Sequence, residues 1–233
     1  MKLNKRIKTN GNRFISILCH GFINYLYFVQ ELNMFADFLI FDFETFSTVG
    51  WNCKVLSFSA IAGNWDNVES YSNMKELNIV FDSNQPDRIA DPITIKWWKG
   101  QSDEVKNQFR KPKTAIKDFI QIFDQFCHEN IDNKTKVYCR GLDFDPVILK
   151  SIYYQHGRTE IPYNFNMLRD IRTVLDDYTG LTYIPNFREY VERKYGWKEH
   201  ISMDDCKRDL LQLHICLSDK LENTLNDIKL TVA

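Results

Sequence analysis

Asp42 and Glu44, one residue apart at the end of an apolar run, are the first feature of this chain that could do chemistry. They follow Phe38-Leu39-Ile40-Phe41, and in an extended chain alternation sends residues 42 and 44 to the same face. Two neighbouring carboxylates repel unless a cation neutralises them. Hard divalent cations such as Mg²⁺ favour oxygen ligands and keep water or phosphate in their remaining positions. The pair is therefore a plausible metal platform, although D-x-E alone also occurs on ordinary solvated strand faces. The open end of a buried strand is a usual place for function, which favours the metal reading.

Two further segments carry matching chemistry. Cys139-Arg140-Gly141-Leu142-Asp143-Phe144-Asp145-Pro146 reads as a strand end, a turn and a helix start. Asp145 is the candidate third carboxylate, because its place at the helix start aims it back at the first strand. Asp143 is its rival, and a plain N-cap role competes. His200 and Asp205 lie near the start of the C-terminal helix. Histidine titrates near neutrality and suits proton abstraction from an attacking water, whereas Asp205 could equally be a first-turn acid. Arg140, Arg169 and Arg172 are candidates for phosphate contacts, and Phe43, Phe46, Trp97 or Trp98 for stacking on a base. Each competes with a bland alternative as a solvated arginine or a partly buried ring.

The elements that must position these groups follow from hydrophobic period. Asp37–Phe41 is a buried strand, and Val55–Ile61 alternates after the turn at Gly50 to complete a hairpin. A third strand is expected between Ser70 and Val80. Ile95, Trp97 and Trp98 open a short helix, and Ala115, Phe119, Ile122, Phe123 and Phe126 form one face of a longer one. Lys136–Cys139 is a strand, and Asp145-Pro146 begins a helix with proline in its first turn. A polar connection over 159–169 precedes a short strand or helix start over Asp170–Leu175. A helix over Phe187–Tyr195 stops at Gly196. The last runs from Ser202 to about Leu225 with Cys206, Leu210, Leu213 and Leu217 on one face. Ser202 marks its start, and Asp204 and Asp205 fill its first turn.

With 233 residues, 44% hydrophobic and 26% charged, the chain is long enough to bury a proper core. A net charge of −1 supplies no global cationic field, so nucleic-acid binding would need a local basic surface or a metal ion bridging carboxylates to phosphates. The six cysteines show no C-x-x-C pair or zinc-finger spacing and read as reduced thiols, consistent with a cytoplasmic protein. Residues 1–33 fit the rest poorly. A basic start precedes an apolar stretch over Phe14–Val29, but His20, Gly21 and Asn24 interrupt it and no cleavage site follows. A membrane anchor, an added helix and sequence upstream of a true start at Met34 are the three readings. The last is favoured, which leaves one domain over 34–233 and no stable membrane association.

The order D-x-E-T (Asp42, Glu44, Thr45), F-D (Phe144, Asp145) and H-x-x-x-x-D (His200, Asp205) resembles the DEDDh 3′–5′ exonucleases of the ribonuclease-H-like superfamily. Thr94–Ser102, Cys139-Arg140-Gly141, Arg169–Thr173 and Asp205–Asp209 are similar to the exonuclease A proteins of T-even-type phages and their bacterial relatives. The resemblance covers about 34–217. Motif II has Gly141 where asparagine is common, and Cys206 replaces the usual alanine.

The resemblance implies an α/β fold, a three-layer arrangement with a mixed five-stranded sheet flanked by helices. It implies two Mg²⁺ or Mn²⁺ ions on Asp42, Glu44, Asp145 and Asp205, with His200 as general base and 5′-mononucleotides as products. Thr45, Phe46, Trp97, Arg140 and Arg172 become the expected substrate contacts. The substrate is the 3′ end of single-stranded DNA or, alternatively, RNA, since the motifs do not separate the sugars. A non-catalytic nucleic-acid-binding domain would be expected to lack one of the acids or the histidine, and none is missing. The motifs leave the oligomeric state open.

Overall fold

A run that is apolar on both sides must sit inside a sheet covered on both faces. Phe38–Phe41 does so as part of strand β1 (Phe38–Thr45), with all four side chains buried. The computed structural model describes residues 35–218 and 220–232. The stretch over Phe14–Val29, the proposed start at Met34 and Cys19 lie outside them.

Strand β1 pairs antiparallel with β2 (Val55–Gly63), the expected hairpin, and β2 pairs antiparallel with β3 (Lys75–Phe81). Strand β3 begins later than expected. The residues before it are spent on a 3₁₀ turn, Trp65–Asn67, and on bends where Tyr71 and Asn73 take left-handed φ values of 50° and 60°. The two-residue β4 (Lys113–Thr114) joins β3 in parallel. On the other side β5 (Lys136–Cys139) runs parallel to β1, and β6 (Leu168–Asp170) parallel to β5. The mixed sheet thus has the order β4-β3-β2-β1-β5-β6, six strands where the resemblance implied five. Both β4 and β6 are too short for a periodic signal.

Helices cover both faces, giving three α/β layers. Leu39, Phe41 and Phe43 pack with Phe119 and Phe123 of α3 (Ile116–Asn130, numbered in chain order) and with Ile148, Leu149 and Ile152 of α4 (Asp145–Gln155). Phe38 and Ile40 face the opposite way. They join Leu175 of α5 (Ile171–Thr179), Phe187 of α6 (Phe187–Tyr195) and Leu210 and Leu213 of α7 (Ser202–Leu217). Two short helices, α1 (Pro92–Gly100) and α2 (Asp103–Asn107), border the end of β1. Asp91 caps α1 by accepting from the Ile93 amide, with Pro92 in the first turn.

The segment expected to be one helix to about Leu225 is two. Ser218 takes extended angles (φ −110°, ψ 158°) after α7, and α8 (Leu221–Val232) follows. Ser202 is the first helical residue of α7 and not its cap, which is Ile201. The Ser202 hydroxyl is used elsewhere, as described below. Among the described residues five cysteines are present, all free and buried, and no helix is long and apolar enough to cross a membrane.

Candidate active site

Strand β5 accompanies β1 only over Phe38–Ile40, so the far end of β1 lacks a partner on that side. Asp145 fills the gap: its Oδ1 accepts from the Phe43 amide at 3.1 Å. This bond joins the start of α4 to the D-x-E segment and brings Asp145, not Asp143, to the end of β1. Asp145 is buried beside Asp42 and Glu44, whereas Asp143 stays exposed on the preceding turn. Phe144, not Asp145, is the N-cap of α4, and its side chain makes no capping bond. The plain capping role that competed for Asp145 is therefore absent.

The opposite wall comes from α7. Asp42 and Glu44 lie across from Ser59 and Ser57 in the antiparallel register, so the four side chains share one face. The Ser202 hydroxyl bonds to both serines, at 2.7 Å to Ser59 and 3.2 Å to Ser57. That contact docks the start of α7 on the acidic end of β1. One turn later Asp205 brings its carboxylate beside that of Glu44, and the two charges raise each other's cost. Ligand atoms of Glu44, His200 and Asp205 all lie within 4.8 Å of one another.

His200 is held by its backbone as much as by its ring. Its φ is +66°, a left-handed conformation that non-glycine residues seldom adopt. Its amide donates to Asp205 Oδ2 at 3.0 Å, and its carbonyl accepts from Gln108 at 2.5 Å. Gln108 follows α2, a helix of five residues that was not expected from the sequence. The imidazole stands edge-on to Trp97, with ring centres 4.7 Å apart, and its Nε2 is 3.9 Å from Glu199. Trp98 is buried and donates to the Thr45 carbonyl at 2.7 Å, which anchors α1 to the end of β1.

Electrostatically the site is a set of acids short of cations. Burial, then the charges of Asp145, Glu44, Asp205 and Asp209, push the Asp42 carboxyl well above its usual range. Burial and Asp205 do the same to Glu44. Asp145 is raised to about 7, mainly by burial, and Asp205 to about 6, burial outweighing the relief from Arg208. Burial lowers His200 below its ordinary value, which favours a neutral ring able to accept a proton. A divalent cation would relieve the first four shifts together. Carboxylate oxygens are a hard donor set that suits Mg²⁺ or Mn²⁺.

The expected substrate contacts divide. Trp97 is 42% exposed beside His200, and Phe46 is half-buried at the end of β1. Thr45 is buried, and its hydroxyl donates to the Ser47 carbonyl at 2.6 Å. Arg172 is exposed, and its guanidinium lies so close to Gly141 that a Cβ there would stand 2.4 Å from Nη1. Gly141 has φ +98°, so the missing side chain serves both the turn and this arginine. Arg140 is committed: it grips Asp209 through Nε and Nη2 at 2.8–3.1 Å and donates to the Thr182 carbonyl. A phosphate contact for Arg140 would have to break that grip. Arg169 is spent on the carbonyls of Asn166 and Leu168.

Arg208 and Asp209 were not singled out as site residues from the sequence. Both are buried, and Arg208 pairs with Asp205 through Nη1. Their spacing from Asp205, three and four residues within a helix, was the signal available.

The exodeoxyribonuclease of Enterobacteria phage T4 is 29% identical over 206 residues, covering 78% of this chain and 88% of its own. E. coli Exonuclease I has the same fold. Its zinc-bound complex with single-stranded DNA superimposes with a TM-score of 0.55 at 17% identity, and its dA16 complex with 0.55 at 15%. This chain spans only 43% and 42% of those two chains, respectively, and at such identities the likeness concerns the fold alone. Residues 37–210 match the family described as the 3′–5′ exoribonuclease Rv2179c-like domain, and the chain belongs to that family of 3′–5′ exonucleases.

Proposed function

We propose that this exonuclease removes nucleotides from the 3′ end of single-stranded DNA by metal-assisted hydrolysis, releasing nucleoside 5′-monophosphates. The observation that carries this reading is the convergence of Asp42, Glu44, Asp145 and Asp205 on one buried point with His200 at its edge. Asp42, Glu44, Asp145 and Asp205 would hold Mg²⁺ or Mn²⁺, two ions by resemblance. Bound there, the metal supplies Lewis-acid stabilisation of charge on the phosphodiester and lowers the pKa of water. His200, kept neutral by burial, takes the proton from the attacking water. The oxygen–phosphorus bond to the 3′ oxygen of the preceding nucleotide breaks, and the phosphate leaves on the released 5′ carbon.

The remaining roles are positional. Trp97 offers an exposed ring next to His200 on which a terminal base can stack, and Phe46 a second apolar edge. Arg172 offers an unburied guanidinium near Asp145 for a phosphate. Similarity to a phage exodeoxyribonuclease over most of both chains supports DNA. The family description supports the second reading, RNA 3′ ends. Matched DNA and RNA oligonucleotides of one sequence, digested under single-turnover conditions with Mn²⁺, separate the two. Faster release from DNA is expected, and faster release from RNA would reverse the assignment. A cytoplasmic site of action fits the reduced cysteines.

A further inference from the structure

Arg208 is only 8% exposed and sits among the acids, with its guanidinium on Asp205 Oδ1 and its Nε 3.8 Å from Asp209 Oδ1. That Nε makes no hydrogen bond although it is out of reach of water. Asp209 is not free to complete the contact, since Arg140 grips it from one side and Gln212 bonds to it at 3.3 Å. The guanidinium is therefore held between two carboxylates by charge, without the full set of bonds that arginine usually makes when buried. The other oxygen of Asp205 is taken by the His200 amide. A cation that binds Asp205 through Oδ1 must take that oxygen from Arg208 or share it, and one on Oδ2 still meets the guanidinium's charge.

Five carboxylates influence one another here, Asp42, Glu44, Asp145, Asp205 and Asp209, and Arg140 already serves the last. Among the described residues Arg208 is the buried cation that acts on Asp205, Glu44 and Asp42. We propose that Arg208 is the protein's own counter-ion to the metal-binding acids, a positioning residue that holds Asp205 when the metal is away and competes with the metal for it. Through that competition it sets metal affinity below what the acids alone would give. The inference rests on the metal reading of the site given above.

The test is calorimetric titration of Mn²⁺ into the full 233-residue chain as wild type, R208Q and R208K, with thermal melts in EDTA and in excess Mn²⁺. At the effective dielectric of a protein site, a unit charge a few ångströms from a dication opposes its binding enough that R208Q should bind Mn²⁺ about tenfold more tightly. R208Q should also melt lower than wild type in EDTA and gain more from Mn²⁺. R208K keeps the charge and should bind within about twofold of wild type. A merely structural arginine would lower both melts equally and leave the affinity unchanged, and that result, or weaker binding by R208Q, overturns the proposal. Absence of Mn²⁺ binding by wild type would instead overturn the metal reading beneath it. Should R208Q not fold in EDTA, R208M supplies a second neutral side chain of similar reach. If neither neutral variant folds even with saturating Mn²⁺ while R208K does, metal cannot replace the guanidinium and the counter-ion role is wrong.

Discussion

Leu39, Phe41 and Phe43 point from β1 into a cluster of interlocking rings, with Phe58, Phe119 and Phe123 at centroid distances of 4.9–5.7 Å from one another. On the opposite face Phe38 and Ile40 give way within two residues to Asp42 and Glu44. The first face is dry, apolar and covered by α3 and α4. The second is closed at its acidic end by serine hydroxyls, a left-handed histidine and a buried arginine. One strand thus carries stability on one side and stored electrostatic repulsion on the other, and the repulsion persists because the aromatic side holds the strand in place.

This contrast can be broken from either face. Asp42→Asn or Glu44→Gln should lower turnover by on the order of ten-thousandfold, read by initial rates on a 3′-labelled strand. The melting temperature in EDTA should stay level or rise, because one repelling charge has gone; a marked fall in melting would mean that the acids are structural. Phe119→Ala acts on the other face and should cost ~3–5 kcal/mol in urea denaturation, with turnover per folded molecule preserved. A cost below about 1 kcal/mol would show that the ring cluster is not what holds β1.

Smaller effects sharpen the same division. His200→Ala should reduce turnover by about a hundredfold while calorimetry still detects metal binding; an unchanged rate moves the proton acceptor elsewhere. A further effect is on the pH dependence of stability. Asp145 is raised to about 7 and Asp205 to about 6, so between about pH 4 and pH 7 the folded chain binds more protons than the unfolded one. Stability in EDTA should then fall as pH rises through that window, with the raised Asp42 and Glu44 carboxyls adding in the same sense, and saturating Mg²⁺ should flatten the slope. Melting temperatures that climb over the same range would contradict the sign.

Much of this was legible in the sequence because strand and helix periods carry it. Alternation alone predicted that Asp42 and Glu44 share a face, and helical spacing with Gly196 placed α6 at its observed bounds. What stayed hidden depended on short or non-local contacts. Asp145 and Asp143 are equivalent by type, and it is burial and the bond to the Phe43 amide that separate them. The α2 turn that holds His200 is too brief for a periodic signal. Ser202 looked like a cap, since serine at a helix start usually is one, but its hydroxyl is taken by Ser57 and Ser59 across 143–145 residues of chain. Arg140 looked like a free cation because nothing local reveals that Asp209 holds it.

The most direct test of the central claim is digestion of one single-stranded oligonucleotide, labelled at its 3′ end or at its 5′ end, by the wild-type chain with Mg²⁺ and with EDTA. Immediate release of the 3′ label as mononucleotide with Mg²⁺, stepwise shortening of the 5′-labelled strand, and no reaction in EDTA are the predicted results. Undiminished digestion in EDTA, or loss of the 5′ label first, would contradict the assignment of the acidic end of β1 as a metal-dependent 3′–5′ exonuclease site.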